Sequence, residues 1–163
     1  MTNEYPSFLT PDFQPYNPLI LAKETEKIVT KRSSEGLERK YVNIYSAPVY
    51  GGIATGYAVG CCLRCIYCWG NWSRDFPENF GTFYTPKKLA ERLFKAADEG
   101  ITALAWQRYK STKVEKLRLS GSEPTLGKEH LLAILPYVLE SKYPLFILET
   151  NGIILGNDLD YVK

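Results

Sequence analysis

All four cysteines of this 163-residue chain, Cys61, Cys62, Cys65 and Cys68, fall within the segment VGCCLRCIYCWG, residues 59–70. Thiols crowded in this way admit few chemistries. Cys61, Cys65 and Cys68 have the spacing of an apolar helical stripe. Against that, Gly60 and Gly70 bracket the run, and glycine is costly inside helices. Cys65 and Cys68 also form a Cys-x-x-Cys pair of the kind dithiol redox sites use, a reading that leaves Cys61 and Cys62 without a task. Structural zinc usually draws two pairs of ligands from separate segments, and no second pair exists here. His130, the only histidine, is distant in sequence and reads as a surface residue at a polar helix start. An iron–sulfur cluster suits the set better. Soft thiolates are its usual ligands, and closely spaced cysteines on a loop can wrap a cubane. A 4Fe–4S cluster normally takes four protein ligands; Cys61, Cys65 and Cys68 supply three and leave one iron open to a bound molecule. Cys62 offers a fourth thiolate on paper, but its side chain diverges from that of Cys61 next to it.

The elements around the loop must hold it in place. YVNIYSAP and GIATGYAVG read as strands flanking VYGG, and the second runs straight into the cysteines. NWSRDFPENFGTFY follows as an irregular stretch. Thr85 and Pro86 mark a helix start, Leu89, Leu93 and Ala97 give that helix an apolar stripe, and Gly100 can end it. EKLRLS alternates at Leu117 and Leu119 as a short strand leading into GSEPT. KEHLLAILPYVLES is periodic and helical, with Pro136 expected to kink or split it. LFILE is a buried strand that ends at Thr150, Asn151 and Gly152. The alternation predicts an α/β fold with parallel strands and helices on the outside. Residues 1–40 read as a partly irregular N-terminal extension, because Pro6, Pro11, Pro15 and Pro18 favour extended chain; residues 41–163 carry the core.

Composition narrows the function classes. The chain has 20 basic and 18 acidic side chains, a net charge of +2, which gives no field for nucleic acid or an acidic membrane. The charged stretch from Lys23 to Lys40 mixes signs, as a solvated face does. With 45% hydrophobic residues the chain can bury a core without disulfide staples. No 18-residue apolar run and no signal-peptide core is visible. The expected compartment is the cytoplasm, where thiols stay reduced.

The spacing of Cys61, Cys65 and Cys68, with Tyr67 just before the last, resembles the signature of the radical S-adenosylmethionine (SAM) superfamily. CCLRCIYCW looks most like the activating-enzyme branch, which includes pyruvate formate-lyase activating enzyme. SGSEPT, residues 120–125, resembles the Gly-Gly-Glu-Pro motif of the superfamily, and ETNG, residues 149–152, resembles an acidic residue followed by Thr-Asn-Gly. The matches keep the order of the family and span about residues 54–155. The resemblance implies that Cys61, Cys65 and Cys68 bind three irons of a 4Fe–4S cluster, and that SAM chelates the fourth. It implies that Tyr67 helps to seat the adenine. Gly121 and Ser122, followed by Pro124, would let the main chain approach the methionine end. Glu123 or nearby backbone oxygens would receive the ammonium, and Thr150 and Asn151 would edge the pocket. The implied activity is reductive cleavage of SAM to methionine and a 5′-deoxyadenosyl radical, which abstracts hydrogen. The substrate would be a glycyl-radical enzyme, another peptide or a small molecule, and the electron donor a ferredoxin or flavodoxin. The rival expectation is a non-catalytic iron–sulfur module that carries electrons or scaffolds a partner.

Three departures accompany the resemblance. Ser122 stands at the second glycine of the motif, and Cys62 stands where many relatives carry asparagine. Only three parallel strands of the barrel are expected before Lys163, so the chain would be the N-terminal half of a partial (β/α) barrel: a fragment, a remnant, or a piece that a second polypeptide completes. GSEPTLGKE is also not a phosphate loop, because five residues separate Gly121 from Gly127 and Glu129 follows Lys128.

Overall fold

A computed structural model describes residues 15–102 and 113–163; Pro6 and Pro11 lie outside them. The described chain forms a mixed α/β structure around one six-stranded sheet. Helix α1 (Pro18–Val29) leads into strand β1 (Thr30–Ser33) and the long strand β2 (Gly36–Ala47). A short turn of 3₁₀ helix (Val49–Gly51) precedes β3 (Ile53–Ala58). Beyond the cysteine loop come α2 (Asn71–Asp75), β4 (Thr82–Tyr84), α3 (Pro86–Glu99), β5 (Lys116–Gly121), α4 (Lys128–Leu139) and β6 (Leu145–Leu148). The short helices α5 (Ile153–Asn157) and α6 (Leu159–Val162) follow.

Strand order is β1-β2-β3-β5-β6, with β4 on β2. β3, β5 and β6 are parallel, with Ala54 opposite Leu117 and Leu117 opposite Phe146. β1, β2, β3 and β4 meet one another only through antiparallel pairings with β2. The expectation of a parallel sheet therefore holds for one half, and the sheet as a whole is mixed. Two-residue and short loops join β1 to β2 and β2 to β3, and connections that short can only reverse the chain.

Residues 18–40, expected as an extension, form α1, β1 and the start of β2. Pro18 does not loosen the chain. It sits in the first turn of α1, where its missing N–H has no partner to lose, and Asn17 caps the helix by accepting from the Leu19 amide at 2.9 Å. The mixed charges between Lys23 and Lys40 conceal regular structure, because α1 buries only Ala22, Thr25 and Val29. The β1–β2 pair places Lys31 opposite Glu38, a pairing of opposite charges. Arg39 is fully buried and donates from Nη2 to the carbonyls of Val59 (3.2 Å) and Glu123 (2.8 Å).

The main core lies between the sheet and helices α3 and α4. It collects Ala54, Ala58, Leu117 and Leu119 from the strands with Leu89, Leu93, Leu131 and Ile134 from the helices. Thr85 caps α3 by accepting from the Lys88 amide, and Gly100 ends it at φ 70°. Helix α4 runs unbroken through Pro136 and is not split there. His130 is wholly buried, contrary to the surface position expected, and its Nε2–H donates to the Tyr84 carbonyl at 2.9 Å. It faces inward because α4 packs against α3 and β2, with the His130 ring beside Tyr41. A second cluster of Ala22, Val29, Val59, Cys62 and Leu126 underlies the cysteine loop. Among the described residues no helix is long and apolar enough to cross a membrane.

Candidate metal and cofactor site

The chain leaves the C-terminal ends of β3, β5 and β6 at one place, and three loops meet there. The Ser122 amide donates to the Ala58 carbonyl (3.1 Å), and the Glu123 amide donates to the Gly60 carbonyl (2.8 Å). Gly121 makes this close approach possible. Its φ is 97°, and a Cβ there would stand 2.6 Å from the Tyr57 ring and 2.9 Å from the Ala58 amide nitrogen. Gly60 is similarly confined at φ 82°, against Thr25 and Val29 of α1.

A cavity of about 320 Å³ opens at this junction. Cys61, Cys65 and Cys68 line it together with Tyr67, Gly121, Ser122, Glu123, Thr150 and Asn151. Pro124 is not among its walls. Tyr67 and Trp69 stand exposed at its side. Cys62 is not among its walls; it is fully buried in the apolar cluster below the loop. The Asn151 amide nitrogen lies 3.4 Å from Cys62 Sγ and 3.6 Å from Cys61 Sγ, so it donates toward both thiols. The hydrogen bond with Cys62 and burial both push the Cys61 thiol up. All four cysteines are free thiols. Among the described residues no three cysteine, histidine, aspartate or glutamate side chains stand close enough together to hold a metal ion. The set thus fits a cluster in donor chemistry and in sharing one cavity, but it is not a preformed chelate.

The two glutamates of the site differ in their surroundings. Glu123 is 1% exposed, and its carboxylate accepts four hydrogen bonds. Oε1 accepts from the Thr125 amide (3.0 Å) and from the Thr125 (2.6 Å) and Thr150 (2.7 Å) hydroxyls, and Oε2 accepts from the Asn151 amide (2.8 Å). Glu123 therefore latches the loop after β5 to the loop after β6. Glu149, for which the sequence suggested no separate role, lines the cavity with a side chain that is 36% exposed. It accepts from Arg118 Nη1 (3.0 Å), from the Tyr50 hydroxyl (3.1 Å) and from Ser120. Burial pushes its carboxyl up, but the hydrogen bonds from Ser120 and Arg118 outweigh that and hold it below the usual carboxylate range. Ser122 fits at the second glycine position because its hydroxyl finds Ser73 Oγ at 3.2 Å.

Sequence reasoning also missed helix α2, in a stretch expected to be irregular. Its Ser73, Arg74 and Asp75 are buried directly behind the cysteine loop. The adjacent Arg-Asp pair beside a thiol cluster was the available signal. No protein-family model matches this chain, and no curated protein matches it.

Proposed function

We propose that the chain is a radical SAM protein that binds a 4Fe–4S cluster and SAM and cleaves SAM reductively to begin hydrogen abstraction from a substrate. One observation carries this reading. Cys61, Cys65 and Cys68 face the same cavity as the loops after β5 and β6, while the fourth cysteine, Cys62, is buried away from it. On this reading β3, β5 and β6 are the first parallel strands of a partial barrel, with the chemistry at their C-terminal ends.

Cys61, Cys65 and Cys68 would hold three irons. When bound, the cluster supplies the electron that breaks the sulfonium bond. The remaining tasks fall to the chain. Gly121 and Ser122 keep side chains clear of the approach to the methionine end. Glu149 is the carboxylate better placed to receive the SAM ammonium, because its side chain is 36% exposed at the cavity, whereas Glu123 is 1% exposed and already accepts four hydrogen bonds. Thr150 and Asn151 edge the pocket in positions that Glu123 fixes. Tyr67 and Trp69 offer ring faces to the adenine and help to exclude water. A ferredoxin- or flavodoxin-like donor would deliver the electron. The hydrogen donor would be a protein, a peptide or a small molecule, with a second polypeptide as a further partner.

Anaerobic reconstitution tests the reading. The expected product binds about four irons per chain, with broad absorbance that bleaches on reduction. Cys61→Ala, Cys65→Ala or Cys68→Ala should abolish it, and Cys62→Ala should retain it. Equal damage from Cys62→Ala would remove the open iron site from the argument. A cluster that forms and reduces without cleaving SAM would leave the non-catalytic electron-transfer module as the better description.

A further inference from the structure

Two guanidinium groups and one carboxylate are packed behind the cysteine loop. Asp75 accepts from Arg74 Nε (2.8 Å) and Nη2 (2.6 Å), and Arg64 Nε reaches its Oδ1 at 3.1 Å. The three side chains are 1%, 2% and 11% exposed for Asp75, Arg74 and Arg64. Both arginines also reach the main chain of the loop. Arg74 Nη1 donates to the Cys65 carbonyl at 2.8 Å. Arg64 Nη1 donates to the carbonyls of Cys61 (3.3 Å) and Leu63 (3.2 Å). One carboxylate thus orients two forks, and the forks hold carbonyls of two of the three cavity-facing cysteines. The Arg74 guanidinium is thus a buried cation directly behind the thiol loop.

We propose that Arg74, anchored by Asp75, is a positioning residue for the metal site: it fixes the main chain at Cys65 and places a buried guanidinium behind the cluster. The inference rests on the iron–sulfur reading above for its second half only. Its physical content is that a buried cation near a cluster favours the more negative, reduced state and so raises the reduction potential. An arginine that merely stabilised α2 would leave the potential where it is.

The test compares the full-length chain with Arg74→Gln and Arg74→Lys. In the iron-free chain, hydrogen exchange is followed at the loop amides of residues 61–68. After reconstitution, iron per chain and the reduction potential are measured. Arg74→Gln should speed loop exchange at least about tenfold and shift the potential to more negative values. Arg74→Lys should restore the potential, because the charge remains, but not the loop protection, because an ammonium is not a planar fork. Unchanged exchange and unchanged potential in folded Arg74→Gln would overturn the proposal. If Arg74→Gln does not fold, Arg64→Gln serves instead, with its more accessible side chain and its own pair of loop carbonyls. A wild-type chain that takes up no iron would sink the iron–sulfur reading. The exchange measurement then still decides the positioning role: faster exchange supports it, and unchanged exchange ends it.

Discussion

At the scale of single residues, the division of labour between Glu123 and Glu149 is the sharpest outcome. Both line the cavity at strand ends, but Glu123 is buried under four hydrogen bonds and Glu149 is partly exposed. Removing the Glu123 carboxylate strands a buried donor at Thr125 and a part-buried one at Asn151, so Glu123→Ala should destabilise the chain by on the order of 3 kcal/mol in urea unfolding. Glu149→Gln, which keeps the shape of the side chain, should lower the unfolding midpoint less and weaken SAM binding by about ten- to a hundredfold, the range for one lost charge-assisted hydrogen bond. If calorimetry gives the reverse pattern, the ammonium belongs with Glu123. His130 offers a second residue-scale test. Burial, reinforced by nearby Arg39 against the hydrogen bond with Tyr84, holds its imidazole down to about 4 from an ordinary value of 6.5. Between those values the unfolded chain binds a proton that the folded chain does not. Stability from this group is therefore complete above about pH 6.5 and falls as pH drops toward about 4, by up to roughly 1.4 kcal/mol per unit. Urea midpoints near pH 7 and near pH 5 should differ more in the wild-type chain than in His130→Gln. Equal pH dependence in the two would exclude the imidazole as the source.

At the scale of elements, the site depends on how closely strand ends can approach. Gly121 and Gly152 both lie in the left-handed region, at φ 97° and 77°. Their surroundings differ. A Cβ at Gly121 meets the Tyr57 ring and the Ala58 backbone, whereas one at Gly152 meets nothing within 4 Å. Gly152→Ala should cost only the backbone strain, about 1 kcal/mol. Gly121→Ala adds a clash with main chain that cannot swing away, and should cost about 3 kcal/mol or more. Thermal unfolding of the two variants measures the difference. Similar losses would mean that the β3–β5 junction can relax around a side chain. The same junction explains why α1 matters to a site it never enters. Thr25 and Val29 brace Gly60 from behind, and Arg39 ties Val59 to Glu123.

At the scale of the whole molecule, the sheet has an unequal pair of edges. β6 is the terminal strand among the described residues, paired on one side only with β5. Leu145 on it is 45% exposed. Parallel strands are normally covered on both faces and flanks, and an open apolar edge recruits another strand. We expect the isolated chain to associate as concentration rises, unless a second polypeptide is supplied, and Leu145→Lys to reduce the association. Light scattering across a concentration series reads this directly. A monodisperse wild-type chain with slow amide exchange along Leu145–Leu148 would show that the edge is already covered.

The local features were legible in the sequence because they depend on neighbours only. Thr85, Pro86 and Gly100 bound α3 as capping chemistry dictates, and Leu117 and Leu119 mark the buried face of β5. The cysteine spacing singled out the loop, and the glycine-rich and Thr-Asn-Gly segments marked the strand ends. What tertiary structure alone decided is what lies across from each residue. The charges of residues 23–40 look the same in sequence whether they face water or, as at Arg39, carbonyls inside the protein. A buried charge betrays itself only through its partners, and those are 20 and 84 positions away. For the same reason sequence could put Glu123 forward for the ammonium without weighing Glu149 against it. The Thr150 hydroxyl and Asn151 amide that bind Glu123, and the Arg118 and Tyr50 that hold Glu149, come into place only when β3, β5 and β6 are laid side by side.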